Sequence, residues 1–181
     1  MSILTNYQRR LVRELREIYG LLSLDFYDIK LYDKAHRSVR LELMRRAVAR
    51  AHVITTYTLV DEHLACELSV HFFGTEKKFP ALWKTKRFKL FNYHFLEELS
   101  LLPKLRYLKA LRKIPKGISA DIEKLNALRN GIAHAFFPEN LKRSRPEWDG
   151  KSIFSIEGLK AFGTDMNSVT KFFVRIRRGR Y

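Results

Sequence analysis

Residues 123–140 read EKLNALRNGIAHAFFPEN. Together with Ile122, the residues Leu125, Leu128 and Ile132 recur at intervals of three and four, which is one face of an α-helix. Ser119 precedes the run as a candidate N-cap, and Pro138 ends it by removing a backbone donor. Near the end of this helix Arg129, Asn130 and His134 stand around Gly131, although a glycine costs a helix interior about 1 kcal/mol relative to alanine. Two readings are open. Basic side chains suit the last turn of any helix, where they face the negative end of its dipole. Alternatively a cation, an amide and an imidazole have been gathered into a site, with Asn130 and His134, four apart, on one face.

The same periodicity extends in both directions. Upstream, residues 33–74 run without a proline to Gly74, a natural helix stop. They predict one long helix or two, centred on Ala47, Ala51, Ile54, Thr58, Ala65 and Phe72, small enough in part for close packing by a partner helix. A first helix is predicted over 4–22. Residues 75–117 are aromatic, basic and interrupted by Pro80, Pro103 and Pro115, which predicts shorter helices. Downstream of the loop at 139–151, Ser152 to Ser155 reads as a short extended piece. Leu159, Phe162, Met166, Val169, Phe173 and Ile176 then keep helical register in a last helix from about Ile156. The tail RIRRGRY is expected to fray. No repeat, linker or low-complexity segment is visible, so the expectation is one all-α domain over 1–181, a helical bundle with additional short helices.

The chain has 181 residues, of which 46% are hydrophobic, enough for a substantial core without staples. Cys66 is its single cysteine, which excludes an intrachain disulfide and a multi-cysteine metal site. The start, MSILTNYQRRLVREL, lacks the apolar core of a signal peptide, and no window has the length of a membrane span. A cytoplasmic protein is expected, with no membrane contact and no cofactor. Charge is the strongest compositional signal: 35 Lys and Arg oppose 19 Asp and Glu, for a net +16. That excess favours a polyanionic partner, held through phosphate contacts and counterion release.

The cations cluster. Residues 103–116 carry Lys104, Arg106, Lys109, Arg112, Lys113 and Lys116 without an acid. Residues 83–89, WKTKRFK, set Trp83 and Phe88 among cations, a mixture suited to stacking on unpaired bases, although core packing is the better reading for both rings. Arg143 and Arg145 in the 139–151 loop, and the four arginines of the tail, are further phosphate candidates. The rival reading of every cluster is a solvated face. His63, Glu67 and His71 repeat every four residues, a spacing able to approach zinc, but no fourth ligand accompanies them and a surface stripe is the default.

Three pieces of the chain resemble a known family, the HEPN-type helical domains. RNGIAH at 129–134 matches the family's Arg-x4-His pattern, with Asn in its usual place after the Arg. HVITTYTLVDEHLACELSVHFF at 52–73 looks like its long core helix with an acidic residue near the middle. DGKSIFSIEGLKAF at 149–162 resembles its closing segment. The match covers roughly 34–173, with 83–116 unplaced. The resemblance implies a bundle that often dimerises with its Arg-x4-His helices facing each other. It also implies metal-independent endoribonuclease activity, as in toxins and phage-defence effectors, or a fold retained without activity as an RNA-binding or protein-interaction module. In the branch controlled by nucleotidyltransferase antitoxins a tyrosine follows the His by two residues; here Phe136 stands there, which puts that partner in doubt.

Cutting RNA without a metal needs a base for the 2′-OH, an acid for the leaving 5′ oxygen and a cation for the crowded phosphate. His134 has the right intrinsic pKa for proton transfer, and Arg129 has the planar fork that grips two phosphate oxygens. Asn130 would orient His134, and Glu62 would either support Arg129 or His134 from the long helix or stand as a solvated carboxylate. A single imidazole cannot be base and acid on opposite sides of phosphorus, so a homodimer supplying a second His134 is part of the expected mechanism. A non-catalytic module and a protein scaffold whose basicity offsets an acidic partner remain the rivals.

Overall fold

The computed structural model describes Asn6, Arg10, Arg13 and residues 34–74, 79–133 and 146–178. These are mostly helical, so the chain is all-α in class. The order is α1 (Lys34–Phe73), α2 (Phe79–Leu82), α3 (Lys86–Phe91) running into a π-helical turn (Asn92–Leu96), α4 (Leu101–Leu111), α5 (Lys116–Ala133), a hairpin of β1 (Glu147–Trp148) and β2 (Lys151–Ser152), and α6 (Ile156–Arg178). The chain divides into two compact units, Met1–Ala47 and Val48–Tyr181, and the division falls inside α1 where the sequence shows no linker. Asn6, Arg10 and Arg13 are helical; the rest of the helix expected over 4–22 lies outside the described residues. No helix among the described residues is long and apolar enough to cross a membrane.

The core of the second unit draws on four helices and the hairpin. α1 contributes Val53, Val60, Leu64 and Leu68, and α4 contributes Leu101, Leu105 and Leu108. From α5 come Ile122, Leu125, Leu128 and Ile132, the stripe legible in the sequence, and from α6 come Phe162, Met166, Val169 and Phe173, again as expected. Each such side chain contributes roughly 1.5–3 kcal/mol on burial. α1 departs from expectation: Ala51, Ile54, Thr58 and Phe72 are exposed, and the buried stripe is Ala49, Val53, Val60, Leu64 and Leu68. The two stripes are centred roughly 120° apart round the helix. Burial goes to the face with the larger aliphatic groups, which remove more apolar area from water.

Local chemistry sets the boundaries. Gly74 takes φ +90° and its N–H reaches Val70 O at 2.9 Å, closing α1 through a left-handed residue. Pro80 and Pro103 sit in the first turns of α2 and α4, and Pro115 directly precedes α5, positions where a missing N–H costs nothing. Thr85 caps α3 by accepting from Phe88 N at 3.2 Å. Ser119 is not the cap of α5, which begins at Lys116; it is buried one turn inside, donating to Glu123 and accepting from Lys109 Nζ, both at 3.1 Å. In the hairpin, Asp149 and Gly150 take φ +49° and +73°, the positive pair that a two-residue turn between twisted strands requires. Ser155 then caps α6, its hydroxyl accepting from Gly158 N at 3.0 Å.

Candidate functional site

Arg129 and Asn130 occupy the last turn of α5, whose core stripe fixes their direction. Arg129 is half-buried, with its guanidinium over the Tyr57 ring of α1 at 5.2 Å and Nη1 donating to Asn130 Oδ1 at 3.2 Å. A ring face and an amide oxygen both hold a cation in place without neutralising it. Asn130 is exposed. His134 follows the last described residue of α5 and lies outside the described residues, as do Arg143, Arg145 and Phe136. The structure thus brings Arg129 to Asn130.

Glu62 does not join them. It stands five residues beyond Tyr57 on α1, roughly 140° round the helix, and no ion pair links it to Arg129 among the described residues. Glu62 instead lines a cavity of about 350 Å³ with Leu59, His63, Cys66, Trp83 and Arg177.

Of the basic cluster at 103–116, part turns inward. Lys104 is buried and ion-paired with Asp61 of α1 at 2.6 Å. Arg112 donates from Nη1 to Glu67 Oε2 at 3.0 Å, and Lys109 lies 3.8 Å from Glu123 while remaining half-exposed. Arg106 and Lys113 are exposed. The outward-facing cations are therefore fewer than the sequence cluster implies. Lys104 and Arg112 tie α4 to α1.

Glu67 is the centre of a buried ionic group. It is 1% exposed and lies between Arg112 and Arg177, with Arg177 Nε at 3.4 Å. Arg177 also contacts His63 Nδ1 through Nη2, and the His63 ring stacks on Phe173 at 5.5 Å. The repeat of His63, Glu67 and His71 is thus neither a surface stripe nor a ligand set: His63 and Glu67 are engaged by guanidinium groups, and His71 is exposed against Phe72. Among the described residues no cluster of His, Cys, Asp or Glu has the geometry to hold a metal. Arg177 was expected to fray with the tail. Its register could have placed it, because it lies four residues beyond Phe173 and continues the buried face of α6.

The aromatic segment splits in two. Phe88 is buried and joins Phe72, Phe73, Phe91 and Phe95 in a cluster of rings with centroids 5.1–6.5 Å apart. Trp83 does the opposite of what core packing predicts and is 58% exposed. No protein-family model, no curated protein and no solved structure matches this chain significantly.

Proposed function

We propose that this protein is a HEPN-type endoribonuclease that cuts RNA without a metal, acting as a homodimer in which two copies of the end of α5 enclose one phosphodiester. The observation that carries this reading is the setting of Arg129: a half-buried guanidinium, held by Tyr57 and Asn130, at the end of a helix whose sequence continues directly into His134. In this scheme Arg129 grips the phosphate oxygens and stabilises the charge that builds on them. One His134 takes the 2′-OH proton while its counterpart in the second copy protonates the departing 5′ oxygen. Asn130 steadies Arg129 through its carbonyl and orients His134 through its amide. The net charge of +16 supports RNA as the polyanion. Growth inhibition, as a toxin or phage-defence effector, is the biological setting in which such an activity fits.

The test is cleavage of mixed RNA by the purified protein, its His134→Ala variant and its Arg129→Ala variant. His134→Ala is expected to lose at least about 100-fold in rate, the usual contribution of a positioned acid or base. Cutting by His134→Ala at the unmodified rate would remove the imidazole from the mechanism. RNA binding without cleavage by the unmodified protein would leave a non-catalytic RNA-binding module.

A further inference from the structure

Burying a tryptophan is among the largest single gains a core can make, so an indole held out in water asks for a partner. Trp83 is 58% exposed and Tyr93, on the π-helical turn, is 53% exposed. The two rings border one shallow cavity of about 270 Å³ with Phe88, Lys89 and Asn92. Trp83, Phe88 and Asn92 also border the larger cavity that reaches Glu62 and Arg177. The indole therefore forms a wall between two depressions. Phe88, which lines both cavities with it, is buried and belongs to the ring cluster at the end of α1.

The charges around these rings decide what the partner is. From Trp83 to Phe91 the chain carries Lys84, Lys86, Arg87 and Lys89 and no acid. All four are exposed. Arg87 lies over the Phe73 ring at 5.3 Å, and the three lysines form no ion pair among the described residues. Protein–protein contacts are depleted in lysine at their centres. Exposed aromatic faces set among cations are instead the arrangement that holds single-stranded nucleic acid, with bases stacked on rings and phosphates on cations. A duplex offers no free base face to such a surface.

We infer that Trp83 and Tyr93 form a stacking platform for unpaired bases, so that this protein binds its RNA as a single strand, with Lys84, Lys86 and Lys89 on the flanking phosphates. The inference rests on the reading of the polyanion as RNA and adds a contact separate from Arg129, since the larger cavity opens on the face of α1 that carries Glu62 and not Tyr57.

The test is a binding titration with fluorescently labelled 2′-O-methyl oligouridylate of about 12 nucleotides, which lacks the 2′-OH and so cannot be cut by attack of that group. A 2′-O-methyl duplex of the same length is titrated in parallel. Full-length protein is expected to bind the single strand more tightly than the duplex. Trp83→Ala is expected to weaken single-strand binding roughly tenfold, in line with the loss of one stacked base, and to leave duplex binding within about twofold. Trp83→Phe, which keeps a ring, is expected to restore most of the affinity. Native fluorescence gives a second readout, because Trp148 is buried and Trp83 is not: saturating oligouridylate is expected to quench the exposed indole. The platform is overturned if Trp83→Ala binds the single strand as the unmodified protein does, or if duplex affinity falls equally. It is also overturned if the substitution lowers the oligomeric mass on sizing, which would make the face a contact between copies. Each outcome is independent of cleavage, so a failure here leaves the role of His134 to its own test.

Discussion

Glu67 carries its charge at a position almost wholly shut off from water, and two guanidinium groups make that tolerable. Removing one partner of such a group leaves uncompensated charge. Because the side chains of Arg112 and Arg177 keep 32% and 22% exposure, they can turn partly to solvent. Glu67→Ala is therefore expected to cost about 2–3 kcal/mol in urea unfolding, below the usual 3–5 for a fully buried pair, and Glu67→Gln less. A loss under 0.5 kcal/mol would contradict the assignment. Asp121 shows the opposite situation. Burial raises its pKa above 3.8, aided by Asp165 and Asp149 and opposed by Lys124. A carboxyl with a raised pKa in the folded state favours folding when protonated, so ionised Asp121 weakens the fold near neutrality. Asp121→Asn is expected to raise Tm by about 1–3 °C at pH 7. The gain should vanish as pH falls through the raised pKa to below 3.8. A variant equally stabilised at pH 3 and pH 7 would refute that cause. Lys104, Glu67 and Arg177 share a sequence signature: each falls on an apolar stripe, Lys104 three residues after Leu101 and four before Leu108. That register predicts burial, whereas counting cations by cluster does not. The pairing across helices was not legible, since it depends on which stripes meet.

At the scale of elements, the hairpin and the first turn of α6 approach each other closely at Gly158. A Cβ on Gly158 would come within 2.0 Å of Ser152 O and 2.7 Å of Ser152 C, both backbone atoms that cannot step aside. Gly158→Ala is expected to destabilise by about 3 kcal/mol or more, the upper range for overpacking. Gly163, further along the same helix, has nothing within 4 Å of the equivalent position. Gly163→Ala is expected to stabilise by roughly 0.5–1 kcal/mol through the ordinary preference for alanine in a helix. Thermal or urea unfolding of the two variants reads both signs, and equal effects would show that the hairpin does not press on α6. The elements themselves were largely legible: the stripes of α5 and α6, the stop at Gly74 and the start near Ile156 follow from periodicity and glycine chemistry. The buried face of α1 was not, because that helix has apolar residues all round and only tertiary packing selects among them. Ser119 misled for a related reason: a serine is a good cap, yet Pro115 had already opened the helix a turn earlier.

For the molecule as a whole, the excess positive charge is partly absorbed. Lys104, Arg112 and Arg177 brace helices from within, and Lys124 pairs with Asp149 at 2.5 Å across the gap from α5 to the hairpin. What remains outside includes the cations of 84–89, with Arg106 and Lys113. The all-α class was thus visible in the sequence, whereas the hydrogen bond from Arg129 to Asn130 was not, since spacing paired Asn130 with His134 instead. The exposure of Trp83 and the pairing within the interior charge group were not visible either, because both depend on which helix faces meet.

The proposed chemistry is cutting of RNA by attack of its own 2′-OH, with no metal taking part. The most direct measurement is the end chemistry of products made from end-labelled single-stranded RNA in excess EDTA. Cleavage undiminished by the chelator is expected, with a 2′,3′-cyclic phosphate on the upstream fragment and a free 5′-hydroxyl on the downstream one. Products bearing a 5′-phosphate, or cutting that stops when EDTA is added, would contradict it.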